Sequence, residues 1–339
     1  DKSYNGCLSF ESKKYNQIAD TNCWSIERNS KLTKNIPVGK RGIMVEVAPI
    51  KDAAHGANIW GVDLNEAITP DLMKKLADAL YEHRVLIIKE QKLEKAKYLE
   101  FGKWWGTPIP HVLDHMRMPG YPELLAVGNT EEKDKSSDIR NGAALWHTDQ
   151  SYESIPASAT MLYSILVPSI GGQTKLADMS AAYDALDERT KAKIDSLEVA
   201  HLYGAGKLLD NEFKANPLKT QDQVDRIPSC YHPLVMQHPV TGRKSLYATG
   251  QSSFAIKGMQ EEEAVSLLWK LKTHAIQDRF VYSHNYEVGD LAIFDTLSTM
   301  HSAVPIEEAD TNNTKSKRLL WRISVRGLPR VYKHLKESF

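Results

Sequence analysis

The sequence predicts a mainly β protein with flanking α-helices, organised as a double-sheet jelly roll, also called a double-stranded β-helix. Three observations carry that expectation. Short apolar runs recur between Gly and Pro turns, as in Val85-Leu86-Ile87-Ile88 and in Leu291-Ala292-Ile293-Phe294 after Gly289. Near the C-terminus Leu319, Trp321, Ile323 and Val325 alternate with Arg318, Leu320, Arg322, Ser324 and Arg326, the period of a strand with two distinct faces. Segments of helical period are few and widely spaced, so helices are expected to cover the sheets rather than build the core.

Residues 1–42 are polar, with isolated aromatics and no sustained period, and are expected to form an extension that wraps the surface or is partly mobile. One jelly-roll domain is expected over 43–330, followed by a short tail, 331–339. Thr69-Pro70 reads as an N-cap followed by proline in the first helical turn, with Leu72, Leu76 and Leu80 forming the apolar face of a helix that runs through Glu82. Val85 to Ile88 is then a buried strand, and further helices are expected over 92–105, 181–197 and 260–276. Ser158 to Leu166 reads as a strand, and Gly171-Gly172-Gln173-Thr174 as the turn of a hairpin leading into Lys175-Leu176-Ala177. The stretch 204–227, with weak periodicity and Pro217, is expected to be a lid. There is no internal repeat.

Lysine plus arginine equals aspartate plus glutamate, 43 against 43, so no basic field draws the chain to nucleic acid. No apolar run reaches the length of about 18 residues that suggests a membrane span, and no secretory hydrophobic region is evident. Cys7, Cys23 and Cys230 form an odd, sparse set without a CxxC pair, which argues against a disulfide framework or a zinc knuckle. The expectation is a cytoplasmic protein, with an organelle as the alternative, whose partner is a small-molecule substrate and neither nucleic acid nor membrane. Homo-oligomerisation is left open.

Trp146-His147-Thr148-Asp149 contains an HxD step, and on an extended backbone residues i and i+2 share a face, which sets one imidazole beside one carboxylate. His301, 154 residues downstream of His147, is the candidate third ligand. Two histidines and one carboxylate with open positions opposite form the donor set of a non-heme Fe(II) oxygenase. The arginines extend the argument, because Arg318, Arg322 and Arg326 would share one strand face. A guanidinium forks two parallel N–H bonds onto a carboxylate, which suits the anchoring of a dicarboxylic acid. Triad and clamp together point to 2-oxoglutarate. The competing reading for Arg326 is a solvated strand face.

Taken in order, these segments resemble the taurine dioxygenase (TauD-like) family of Fe(II)/2-oxoglutarate-dependent oxygenases. Gly61-Val62-Asp63-Leu64, Trp146 to Asp149, Gly171 to Thr174, His238-Pro239-Val240-Thr241-Gly242-Arg243-Lys244, Gly289 to Asp295, and His301 with its arginines carry the resemblance over 43–330. It implies that His147, Asp149 and His301 hold iron, that Thr174 and Arg318 bind the distal carboxylate of 2-oxoglutarate, and that Arg322 lines the substrate site. Thr107, His111, Gln150 and Tyr152 follow pocket segments of the family and are further substrate-site candidates. In relatives acting on sulfonates an imidazole stands several residues after the Phe-Gly pair. Here Phe101-Gly102 leads to Thr107, so taurine is not expected. Ala143 likewise replaces an asparagine that many relatives carry four residues before the first iron histidine.

The implied reaction consumes O2 and converts 2-oxoglutarate to succinate and carbon dioxide while oxidising a substrate C–H bond, by hydroxylation as the default and by desaturation or ring closure otherwise. Related halogenases lose the carboxylate ligand, so Asp149 argues against halogenation. Arg322 and Arg326 supply positive charge beyond the needs of 2-oxoglutarate, pointing to a small anionic substrate, an amino acid or related carboxylate. Two other classes compete. A zinc hydrolase shares the donor set, but it needs no dicarboxylate clamp and no HExxH helix is present. A jelly roll that binds ligands without turnover would have kept all five residues for no chemistry. Among the other histidines, His232 and His238 are expected to be structural hydrogen-bonders, and His274 and His284 non-ligands.

Overall fold

The computed structural model describes residues 45–130, 142–205, 218–306 and 314–335. The N-terminal extension, residues 206–217 of the expected lid and the end of the tail lie outside the described residues. A large sheet runs in the order β1 (Glu46–Pro49), β2 (Ala57–Trp60), β3 (Val85–Ile88), β15 (Leu291–Asp295), β7 (Ala159–Leu166), β17 (Leu319–Arg326), β6 (Tyr121–Gly128) and β5 (Arg117–Met118), and β4 (Thr107–Pro108) pairs with the end of β17. A second sheet orders β14 (Val281–His284), β8 (Thr174–Asp178) and β16 (Thr299–Ala303). Two smaller sheets follow, β10 (Cys230–Pro233), β9 (Glu198–His201) and β13 (Ser253–Ile256), and the pair β11 (Val235–Gln237) with β12 (Lys244–Leu246).

The large sheet is buried on both faces, which explains why β3 is apolar at every position and β15 at all but its last, Asp295. In β3, Leu86 and Ile88 face the helical layer while Val85 and Ile87 face the interior between the sheets. In β15, Leu291 and Ile293 take the first face and Ala292 and Phe294 the second. The helical layer is α1 (Pro70–His83) and α2 (Lys95–Trp105), whose Met73, Leu76, Leu80, Tyr98, Phe101 and Trp105 pack on Met161 and Ile323 of the sheet. Each fully buried side chain of this kind contributes about 1.5–3 kcal/mol. Leu176 of β8 joins Leu162, Phe294 and Leu320 in the interior, closing the roll.

Local chemistry sets the helix ends. The Thr69 hydroxyl accepts the Leu72 N–H, and Pro70 occupies the first turn, so α1 starts where the cap signal placed it. Helix α2 begins at Lys95 rather than at 92, and ahead of it the Leu93 N–H bonds the Tyr163 hydroxyl at 2.9 Å. The expected helix over 181–197 is two, α3 (Met179–Asp184) and α4 (Glu188–Ile194). Asp178 caps the first through the Ser180 and Ala181 N–H groups, and Asp187 restarts the chain by capping Thr190 at 2.9 Å. After α5 (Gln221–Arg226), α6 (Glu261–Ala275) covers the second sheet through Leu268 and Leu271, packed against Met179 and Met300. No helix among the described residues is long and apolar enough to cross a membrane.

Candidate active site

His301 lies on β16, and His147 lies opposite it; the two residues exchange backbone N–H to carbonyl bonds of 2.9 Å in each direction. That bridge is isolated. The extended strand expected for the HxD step is absent, since Asp149 enters a turn in which Gln150 takes φ +47°. The three side chains nonetheless converge. His147 Nε2 lies 3.8 Å from Asp149 Oδ1, and His301 Nε2 lies 3.8 Å from Asp149 Oδ2. One donor atom from each residue falls within 4.8 Å of the others, and theirs is the one such cluster among the described residues. The 3.8 Å gaps are too long for hydrogen bonds and suit an ion held between the groups.

The protonation states fit a cation. His147 Nδ1 donates to the Leu145 carbonyl at 2.6 Å, which leaves the Nε2 lone pair facing Asp149. Burial pushes His147 below the usual histidine range against the pull of Asp149, and burial reinforced by His147 takes His301 down to about 3. Burial alone would raise the Asp149 carboxyl, but Arg322, His301, His147 and the Thr160 hydroxyl together hold it well below the ordinary carboxylate range. Neutral imidazoles and an ionised carboxylate are the forms a metal binds.

The cavity that contains the triad is also lined by Thr174 and Arg318. Arg318 is 3% exposed, has no carboxylate partner among the described residues, and its Nε meets no acceptor. Burial lowers its affinity for its proton, opposed only by nearby Tyr286. A buried, uncompensated guanidinium is costly unless an anion arrives. Thr174 sits on β8 with its hydroxyl 3.0 Å from that of Tyr286, which stands near the guanidinium, and Thr174 and Arg318 line the same cavity. The glycine turn makes room for Arg318: Gly172 has φ +77°, and a Cβ there would lie 3.1 Å from Arg318 Cδ.

Of the expected substrate residues, His111, Gln150, Tyr152 and Arg322 line the cavity. Thr107 does not. It is exposed on β4, where its backbone pairs with Arg326, because this short strand extends the outer end of the large sheet. The expected surplus of positive charge is also largely neutralised within the protein. Arg322 Nη2 lies 2.9 Å from Asp149 Oδ1, and Arg326 Nη2 lies 2.5 Å from Glu153, outside the cavity lining. His111 Nδ1 accepts the Leu113 N–H at 3.1 Å, and burial, with Arg322 adding to it, brings this imidazole down to about 3. The neutral ring therefore carries its proton on Nε2.

Several residues were not legible as site residues. Tyr203, Gln251 and Ser252 line the cavity, and Tyr286 contacts Thr174. Gly250 was the available signal for the 251–252 segment: a Cβ there would stand 2.2 Å from the Trp146 carbonyl oxygen, so only glycine lets this segment approach the HxD step. His232, His238, His274 and His284 are hydrogen-bonded and lie outside the triad. His232 bonds the Glu153 carbonyl, His274 the Ala182 carbonyl, and His284 the Asp290 carboxylate, while His238 accepts two backbone N–H groups.

The profile of the taurine catabolism dioxygenase TauD, TfdA family matches residues 46–324. The chain belongs to this family. It is 31% identical to the (S)-phenoxypropionate/alpha-ketoglutarate-dioxygenase of Sphingobium herbicidovorans, over 84% of this chain and 96% of that one. It is 29% identical to the alpha-ketoglutarate-dependent 2,4-dichlorophenoxyacetate dioxygenase of Cupriavidus pinatubonensis, over 72% and 87% respectively. Among solved structures, AAD-2 in complex with Mn(II) and N-oxalylglycine superposes with a TM-score of 0.66 at 29% identity, covering 84% of this chain and 97% of that one. This TauD/TfdA protein is thus a jelly-roll dioxygenase dependent on 2-oxoglutarate and a metal, and it acts on a small molecule.

Proposed function

We propose that the metal is Fe(II), that O2 is the oxidant, and that the substrate is a small carboxylate with an apolar body. The overall reaction joins O2, 2-oxoglutarate and a substrate C–H bond to give succinate, carbon dioxide and the hydroxylated product. When bound by His147, Asp149 and His301, iron would supply the oxidising chemistry, and the chain would supply binding and orientation. Arg318 and Thr174 take the distal carboxylate of 2-oxoglutarate, which turns the opposite, oxo-acid end of the molecule toward the triad. The observation that carries this reading is Arg318, a buried cation without an acidic partner among the described residues, on the wall of the cavity that holds the triad.

The rest of the wall supports the substrate class. Met116, Leu125, Val127, Tyr152 and Tyr203 present apolar and aromatic surface, and His111, Gln150 and Ser252 present polar groups. Asp149 is the one carboxylate among the described lining residues, and the metal claims it. A substrate ammonium would therefore meet no free carboxylate among the described lining residues, which favours a carboxylate without an amine over an amino acid. The names of the relatives point the same way, toward aryloxyalkanoic acids. The test is succinate release by Fe(II)-loaded protein given 2-oxoglutarate, O2 and a panel of aryloxyalkanoic, aliphatic and amino acids. Release stimulated by aryloxyalkanoic or aliphatic acids is expected. Succinate at background with every compound overturns the reading, as does turnover that needs neither O2 nor 2-oxoglutarate.

A further inference from the structure

Asp149 is gripped from behind by a chain of hydrogen bonds that an ion pair closes into a ring. Thr160 Oγ1 lies 2.8 Å from Asp149 Oδ2 and 2.8 Å from Ser324 Oγ. Ser324 Oγ lies 3.0 Å from Arg322 Nη2 and 3.3 Å from Nε, and Arg322 Nη2 returns to Asp149 Oδ1 at 2.9 Å. Backbone register builds this ring, because Thr160 on β7 and Ser324 on β17 are direct cross-strand partners. Both are almost fully buried, at 1% and 2% exposure.

The direction of every bond follows from the donor inventory. An ionised carboxylate only accepts, so the single Thr160 proton goes to Asp149. Thr160 must then accept from Ser324, whose own proton is thereby committed. Ser324 can only accept from Arg322, which always donates. The chain of protons runs one way, from the guanidinium through two hydroxyls to the carboxylate, and it closes through the direct ion pair. Asp149 Oδ2 receives the Thr160 proton and Oδ1 faces the Arg322 guanidinium, and a carboxylate oxygen so engaged keeps a further lone pair for a cation.

We infer that Thr160 and Ser324 are positioning residues that, with Arg322, fix the Asp149 carboxylate for metal binding. This rests on the triad being the metal site. It also gives Arg322 a task on the ligand itself, besides its place on the cavity wall. Outer partners of this type commonly set metal affinity by roughly 10–100-fold.

The experiment titrates the metal-free full-length protein with Mn(II), without 2-oxoglutarate, by calorimetry. Thr160→Val, which keeps the side-chain shape, should raise the Kd for Mn(II) by roughly 10-fold or more, and Thr160→Ser should restore it to near wild type. Ser324→Ala should weaken binding in the same direction, since it breaks the middle of the chain and leaves Thr160 free to rotate. Wild-type affinity in Thr160→Val overturns the inference, and so does a Thr160→Ser protein as weak as Thr160→Val, which would indicate packing rather than the hydroxyl. The readout does not involve turnover. Weakened Mn(II) binding in a protein that releases no succinate would uphold this inference while the proposed function falls.

Discussion

Replacing Arg318 with methionine should move two measurements in opposite directions. The guanidinium is 3% exposed, without an acidic partner among the described residues, and its Nε has no acceptor, so the metal-free protein carries the cost of burying a charge. Methionine removes that cost at similar length and flexibility. The thermal midpoint of the metal-free protein should hold or rise. With 2-oxoglutarate bound the sign reverses, because the distal carboxylate would now be the buried, unpaired ion. Removing one member of such a pair costs about 3–5 kcal/mol, or roughly 10²- to 10⁴-fold in affinity at about 1.4 kcal/mol per decade. Calorimetric titration of Mn(II)-loaded protein with 2-oxoglutarate measures the second effect, and differential scanning of the metal-free protein measures the first. A Kd for 2-oxoglutarate within about threefold of wild type, well below one decade, would remove Arg318 from its role. A sharp fall in the thermal midpoint would show that the guanidinium is a structural partner.

Three further outcomes follow from the same geometry. Asp149→Ala should lose metal retention and all succinate release, read by metal content after gel filtration; retention at the wild-type level would contradict the ligand assignment. Gly250→Ala should weaken Mn(II) binding and lower stability by more than about 1 kcal/mol, since its Cβ would stand 2.2 Å from the Trp146 oxygen; a variant equal to wild type in both would show that the 250–252 segment moves freely. The last concerns pH. Burial takes His201 down to about 3, with His232 adding to the effect, and neither His201 ring nitrogen has a partner. Because its folded value lies below the unfolded value of about 6.5, the unfolded chain binds more protons between the two. Stability of the metal-free protein is thus full above about pH 6.5 and falls as pH drops toward the folded value. His201→Leu should flatten this slope in urea unfolding without loss near neutrality, and a slope equal to that of wild type would refute the assignment.

The donor residues were legible because each announces its chemistry by type. His147, Asp149 and His301 are metal-binding side chains, and Arg318 and Arg322 stand four residues apart on a segment whose alternation reads from the sequence. Their surroundings were not legible, for three physical reasons. Counting arginines could not reveal that Asp149 and Glu153 neutralise Arg322 and Arg326, since those pairs form across the fold. Thr160 and Ser324 look like ordinary strand residues until the register sets them side by side. Thr107 matched a pocket segment in sequence, but β4 is a two-residue strand that leaves it exposed at the edge. In the fold, apolar runs found the central strands, while the break between α3 and α4 turned on one carboxylate, Asp187, whose capping bond is local and easily outvoted by helical period.

The reciprocal backbone bonds between His147 and His301 tie together points 154 residues apart. Ligands on a single helix could greet a metal in a half-folded chain; here the two imidazoles meet only after most of the domain has closed. The complete three-residue site therefore exists only in the folded domain, and an ion bound there acts as a removable clasp on a very long loop. Its contribution to stability would grow with free metal, reaching about 2.7 kcal/mol at a hundred times the Kd. A cell short of metal would thus hold a looser protein as well as an idle one, so scarcity would be felt as turnover of the chain itself.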